Sequence, residues 1–345
     1  MPTSLDVRGL TVELPTHSGW VRPVNDVSFT LARGETLGIV GESGSGKTML
    51  SLALMGLAPH GARYQGEAWL HPRNAIANGR GNGLRNPQNA LAAASEPSRE
   101  NLFALSPEKM REVRGREIAM IFQEPMTALN PVLRVGAQIE EAIRVHEPRT
   151  GANEVRTRAL AAIARAALSD PERRARQYPH QLSGGLRQRV MIAMALAAGP
   201  GVLIADEPTT ALDVTMQKQI LELLAKLRRE LQLSMLFITH DLGVVAQVAD
   251  RVVVMYAGRI VEEGPVAEVL RAPRHPYTEG LLRAAPRLAR EKLVPIPGTV
   301  PALDALPLGC AFAPRCPKYV PQCDAVVPVL RAVNINHHAR CILVP

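Results

Sequence analysis

Residues 41–48 read GESGSGKT, which has the spacing G-x-x-x-x-G-K-[ST] and directly follows the apolar run Glu35 to Val40. Glycines at Gly41, Gly44 and Gly46 let a backbone curl so that successive N–H groups, with Ser43 and Ser45 between them, point at phosphate oxygens. The helix that follows adds its positive end to the same cradle. In such a loop Lys47 reaches the β- and γ-phosphates and Thr48 offers its hydroxyl to Mg2+. A glycine-rich turn with no ligand would not need Lys and Thr at those two places. A metal-side acid is supplied by VLIADEP, an apolar strand ending in Asp206, which is placed to hold Mg2+. Glu207 comes next, placed to orient or deprotonate a water. LSGGLRQR, residues 182–189, sets Ser183, Gly184 and Gly185 at the opening of an apolar helix, again the shape of an anion cradle. FITHD places His240 at the end of another strand, within reach of a γ-phosphate.

These residues need a scaffold that brings strand ends together. Residues 35–40, 117–122, 202–206 and 234–239 are short apolar runs of the kind that form buried strands. Between the last two, Met216, Ile220, Leu223, Leu224, Leu227 and Leu231 recur at three- and four-residue spacing, which predicts an amphipathic helix over 215–231. Alternating strands and helices call for an α/β fold with a mostly parallel sheet. Residues 144–198, rich in Ala and Arg with no strand pattern, read as a helical insertion. Residues 71–100 read as a surface loop insertion, and 251–256 with 259–263 as a hairpin closing the core. From Arg271 onward the chain carries 12 of its 28 prolines and all four cysteines, a composition shift that marks a separate C-terminal module.

With 345 residues, 46% hydrophobic and 21% charged, the composition excludes a disordered or collagen-like chain. The longest uncharged run, residues 190–205, is 16 residues long and is broken by Gly199, Pro200 and Gly201, too short for a spanning helix. The N-terminus lacks the basic and apolar segments of a signal peptide, so the cytoplasm is expected. The net charge of +8 suits phosphate, nucleic acid or an anionic membrane surface. Eight Arg against three acids lie in residues 151–190, a pattern that reads first as solvated helix faces and next as membrane proximity, with few aromatics nearby to stack bases.

In this order, the loop 41–48, Gln123 of IFQEP, LSGG at 182–185, Asp206-Glu207, ALD at 211–213 and His240 resemble the nucleotide-binding subunit of an ATP-binding cassette (ABC) transporter. The resemblance spans most of residues 1–264. It implies a P-loop NTPase core over residues 1–270, with a parallel sheet, antiparallel hairpins and a helical subdomain over about 124–198. It also implies that ATP and Mg2+ are sandwiched between two such subunits. Ser183, Gly184 and Gly185 would then serve the partner's nucleotide, Gln123 would sense Mg2+ and the attacking water, and Asp213 would communicate between paired sites. Residues 124–141 would receive a coupling helix of a membrane subunit. An aromatic upstream of the loop stacks on adenine in this family, and Trp20 is the nearby candidate, with a simple hairpin Trp as the alternative. Leu186 stands where the family has Gln.

HPYTEGLL at 275–282 and the Pro- and Cys-rich sequence after it resemble the C-terminal extension, here 271–345, of dipeptide, oligopeptide and nickel importer ATPases. Cys310, Cys316, Cys323 and Cys341 are separated by five, six and seventeen residues. Structural zinc favours closer pairs, so Zn2+ is the poorer match; four thiolates could wrap an iron–sulfur cubane, or remain unliganded. Some members of the resembled branch hold a [4Fe–4S] cluster at such a spacing. The resemblance further implies two transmembrane permease subunits, a second ABC ATPase that is related or identical, an extracytoplasmic solute-binding protein, no nucleic acid, and a peripheral place on the cytoplasmic face of the inner membrane. A nickel or opine importer would use the same engine. A soluble ABC ATPase acting on nucleic acid or ribosomes would carry two cassettes or a long coiled coil, and neither is seen.

Overall fold

Strands that alternate sides between two apolar layers must be apolar throughout, and four of the runs named above meet that condition. In the computed structural model, which describes residues 2–17, 19–72, 99–124, 128–210, 212–285 and 294–344, they form the centre of a large sheet. Most of the expected loop insertion, from 73 to 98, lies outside the described residues. The chain opens with two long antiparallel strands, β1 (Thr3–Thr16) and β2 (Gly19–Ala32). After β3 (Thr36–Val40) and the helix Lys47–Leu54, β4 (Arg63–Leu70) returns to pair with β1, and the short β5 (Glu100–Asn101) pairs with β4. These make a sheet of order β2-β1-β4-β5.

The larger sheet adds β6 (Ile118–Ile121), β7 (Val202–Asp206), β8 (Ser234–Thr239), β9 (Arg251–Tyr256) and β10 (Arg259–Pro265). Strands β6, β7, β8, β3 and β9 run parallel in that order, and β10 is antiparallel to β9. Successive residues face opposite layers. Leu37, Ile204, Ile238 and Val253 pack with the N-terminal sheet and the helix Lys47–Leu54. Val40, Leu203, Phe237 and Val252 pack with the remaining helices. Between β6 and β7 come the helices Val135–Arg144, Ala152–Arg165, Pro171–Arg176 and Gly184–Leu196 and, among the described residues, no strand, as the Ala- and Arg-rich composition predicts. The helix expected over 215–231 spans Val214–Leu231 and buries Ile220, Leu223, Leu224 and Leu227.

The C-terminal stretch is continuous with the large sheet. Strands β11 (Arg331–Asn334) and β12 (His337–Ala339) form a hairpin, and β12 pairs antiparallel with β10. Three of the chain's few aromatics, Tyr256 on β9, Tyr277 on the helix Pro276–Ala284, and Phe312, meet with ring centroids 4.7 to 5.4 Å apart in tilted and edge-on geometry. Beneath them the buried carboxylate of Glu262 accepts bonds from the N–H groups of Arg274 (2.7 Å) and His275 (2.9 Å) and lies 2.7 Å from His337 Nε2. His275, itself buried, caps the helix through Nδ1 and the Tyr277 N–H, and burial pushes its pKa down to about 3, so it is neutral there. Replacing Glu262 by Ala strands two N–H donors and a buried imidazole. The expected loss is about 3–5 kcal/mol of stability, read as a lower chemical-denaturation midpoint.

Candidate functional site

Parallel register delivers the chemistry to one edge. Val40 of β3 lies opposite Thr239 of β8, and Asp206 of β7 opposite Ile238 of β8. The chain therefore leaves three adjacent strands at Gly41, Glu207 and His240, at the carboxyl ends where α/β sheets bind ligands.

The loop after β3 turns through Gly44 (φ 81°) and Gly46 (φ 101°), which begins the helix at Lys47. A side chain on Gly46 would run into the Pro23 carbonyl of β2, so glycine is required there for space as well as for its positive φ. Lys47 is buried, and its Nζ donates to the carbonyls of Gly41 (2.7 Å) and Glu42 (3.0 Å) and to Ser45 Oγ (3.3 Å). Burial lowers its pKa, against the pull of Glu207, Asp206 and Glu42. Ser43 and Gly44 form the exposed tip of the loop, and the Thr48 side of the helix is also exposed.

Asp206 is 1% exposed. Its Oδ2 accepts from Ser51 Oγ (3.1 Å), Thr48 also bonds the carboxylate, and Oδ1 has no partner. Burial raises its pKa despite those bonds. A hydroxyl and an orphaned carboxylate oxygen side by side are the hard oxygen donors that Mg2+ takes, so the residues fit the cation.

Glu207 occupies the left-handed region at φ 46°, held by its N–H to the Ile238 carbonyl (2.9 Å). A non-glycine residue in that region is uncommon and clusters at functional sites. Its carboxylate accepts from Thr210 Oγ1 (2.8 Å) and Gln123 Nε2 (3.2 Å), and His240 Nδ1 stands 3.4 Å away. The His240 contact is the largest influence holding the Glu207 pKa at about 2, and the same contact raises that of His240. Two neighbouring acids thus have pKa values driven in opposite directions, the pattern that separates a metal-side acid from a water-side one. Thr210 and Ser51 were not singled out from sequence. Their signals are weak: a second Thr in DEPTT, and a Ser one helical turn after Thr48.

Ser183 is the exposed N-cap of the helix Gly184–Leu196, and its hydroxyl makes no capping bond. Gly184 is exposed. Gly185 is buried, and a side chain there would collide with Met216 of the helix Val214–Leu231. Asp213 caps that second helix, its Oδ1 accepting from the Met216 N–H (2.9 Å). Among the described residues no hydrogen bond joins this cradle to residues 41–48. Trp20 lies beside the β1–β2 turn, 44% exposed, with the Arg63 guanidinium 3.8 Å over one face of its ring. In residues 124–141, Val132 and Leu133 are exposed, while 125–127, like Ala211, lie outside the described residues.

Cys310, Cys316, Cys323 and Cys341 are free thiols. The structure does not gather them as a formed metal centre: among the described residues no three His, Cys, Asp or Glu side chains stand within reach of one ion. They are nonetheless electrostatic neighbours, with Cys310, Cys316 and Cys341 each feeling Cys323, and the Cys310 N–H donating to the Cys323 carbonyl (2.7 Å). Burial raises the pKa of Cys310, Cys316 and Cys341. His337 is occupied by Glu262.

Comparison with known proteins places two family models on the chain: ABC transporter over residues 24–210, and oligopeptide/dipeptide transporter, C-terminal region, over 261–323. A protein of Brucella melitensis biotype 1 provisionally named a peptide import ATP-binding protein is 50% identical over 346 residues, covering 98% of this chain and 96% of its own. One of the same description from Brucella abortus is 47% identical over 339 residues, covering 98% and 94%. Among solved structures, the dimeric post-hydrolysis state of the ATP-binding cassette MJ0796 bound to ADP and Pi superposes with a TM-score of 0.60 at 27% identity, covering 76% of this chain and 98% of that one. The cbiO1 subunit from Clostridium perfringens, part of the ABC transporter complex cbiONQ, gives 0.59 at 25% identity, covering 79% and 92%.

The geometry makes one demand of Glu207. Its replacement by Gln keeps size but removes the charge and one of the two acceptor oxygens, so ATP hydrolysis is expected to fall by about 100-fold or more with nucleotide binding retained. Undiminished turnover would take Glu207 out of the chemical step.

Proposed function

The chain belongs to the ABC transporter family, and from that premise we propose that it is the ATP-hydrolysing subunit of an importer of dipeptides or oligopeptides. The observation that carries the reading is one chain holding both a full set of hydrolytic residues at one sheet edge and a C-terminal segment of the oligopeptide/dipeptide transporter type. ATP lies with its phosphates on the N–H groups of residues 41–48, and Lys47 exchanges its bonds to the loop carbonyls for bonds to phosphate oxygens. Thr48 and Asp206 would hold Mg2+, which would neutralise phosphate charge when bound. Glu207 is a weak base while Thr210, Gln123 and His240 all hold it. Giving up one of them to an attacking water both positions that water and raises the basicity of the carboxylate. His240 and Gln123 then face the γ-phosphate and the water.

Ser183, Gly184 and Gly185 serve the nucleotide of a second ATPase subunit, related or identical, so that binding closes the pair and hydrolysis opens it. Asp213 carries the message between the two sites, and Trp20 offers its free face to adenine. Two permease subunits receive that motion at residues 124–141, where Val132 and Leu133 are exposed, and a solute-binding protein delivers the peptide. No helix among the described residues is long and apolar enough to cross a membrane, which accords with a peripheral place on the cytoplasmic face of the membrane. Residues 1–270 are the nucleotide-binding unit and 271–345 its extension.

The four cysteines hold a [4Fe–4S] cluster in this reading. Support comes from their mutual proximity and from backbone N–H groups that already face the sulfurs: those of Phe312 and Ala313 at Cys310, of Lys318 at Cys316, and of Leu343 and Val344 at Cys341. Such donors stabilise thiolates, and a cluster would have to draw the loops inward and release the thiol protons.

Two measurements test these readings. Affinity capture from gently solubilised native membranes should recover two permease subunits, a second ATPase and a solute-binding protein that binds short peptides; ribosomes or DNA without membrane proteins would overturn the transport reading. Anaerobically purified protein should contain about four irons and matching sulfide per chain, whereas iron-free protein carrying zinc, or no metal, would refute the cluster.

A further inference from the structure

Glu42, the second residue of the phosphate loop, is held by the far end of the chain. Its backbone N–H donates to Tyr277 Oη (2.8 Å), and its carboxylate takes both terminal nitrogens of Arg315, at 2.7 and 3.0 Å. Its carbonyl is one of the acceptors of Lys47 Nζ. Tyr277 and Arg315 are 235 and 273 residues away, both in the segment of the oligopeptide/dipeptide transporter type.

Arg315 is built into place. Its side chain is 4% exposed, its Nε donates to the Pro297 carbonyl (2.8 Å), and one terminal nitrogen lies 3.4 Å from Tyr256 Oη. The rings of Tyr256 and Phe312 face the guanidinium at 5.9 and 6.0 Å. A buried guanidinium needs a partner, and a planar fork on a carboxylate fixes both distance and angle. Tyr277 is fully buried against the same aromatics, so its hydroxyl is equally fixed.

We propose that Arg315 and Tyr277 are positioning residues of the ATP site: they pin the Glu42 peptide from outside, so the loop keeps its phosphate-binding shape when Lys47 leaves its carbonyls for the nucleotide. The inference rests on the reading of residues 41–48 as the ATP phosphate cradle. Without the pins, departure of Lys47 would leave the Glu42 peptide held only by the long bond from the Ser45 N–H to its carbonyl (3.2 Å), and ordering it again would weaken ATP binding.

The test uses the full chain and three substitutions. Tyr277→Phe removes one hydroxyl and keeps the packed ring; Arg315→Met keeps volume without the fork; Arg315→Lys keeps the charge but cannot make two parallel bonds. Equilibrium ATP binding, KM against kcat, and the melting midpoint are measured for each. Expected are ~5- to 20-fold weaker ATP binding for Tyr277→Phe and Arg315→Met, with KM rising in step, and an intermediate value for Arg315→Lys. Glu42→Gln should weaken ATP binding, and adding Arg315→Met to it should weaken binding no further, because both act through one contact. Lowered melting midpoints with unchanged ATP affinity in Tyr277→Phe and Arg315→Lys would overturn the proposal, leaving the contact purely structural. If Arg315→Met does not fold, Tyr277→Phe and Arg315→Lys decide it. Failure of the wild-type chain to bind ATP, with Lys47→Ala no different, would instead fail the reading of the loop.

Discussion

The register between β3, β8 and β7 is the constraint on which the site depends. Each strand pairs in parallel with its neighbour, so their carboxyl ends lie level and the residues one step beyond them become neighbours. The phosphate loop, the acid pair and His240 are far apart in the chain and meet because of that alignment. A shift of one residue in any of the three would move its functional side chain and also send its apolar residues to the wrong layer. Core packing and chemistry therefore enforce the same register.

Within that frame, burial and hydrogen bonding divide the labour between adjacent acids. Asp206 points into the protein, where desolvation dominates and one oxygen is left without a partner; Glu207 points out, where donors dominate. The left-handed backbone at Glu207 goes with this arrangement, since the chain leaves the regular extended strand there and its carboxylate meets Thr210, Gln123 and His240. The strain is borne locally by the bond from its N–H to β8 and by the Thr210 hydroxyl.

Sequence reads local geometry well and long-range closure poorly, and this chain shows both. The phosphate loop, β7 with its acids, the helix Val214–Leu231 and the β9–β10 hairpin were each legible because the signal lies within about 20 residues. The two 14-residue strands β1 and β2 were not, although hairpins were expected, because several shifts of register interrupt the alternation that marks a half-buried strand. The Glu42–Arg315 fork joins residues 273 apart and has no periodicity to betray it. The cysteine spacing was legible as a cluster of thiols, but spacing does not fix where their sulfurs point. His337, four residues before Cys341, is the partner of a buried carboxylate because β12 brings it across β10, which no local pattern marks.

That last pairing has a consequence for synthesis. Strand β10 is complete at Pro265, but the strand that covers its free edge, β12, begins only at His337. At about 5–20 residues per second, translation leaves the edge open for several seconds, during which any unpaired strand in the cell competes for it. Glu262 and Glu263, adjacent on β10 and both facing β12 in register, place negative charge along that edge throughout the interval. A stray strand would have to bury Glu262 without the His337 imidazole that only the native hairpin brings to it. The carboxylate that anchors the finished fold thus also acts as a gatekeeper against misassembly on the ribosome.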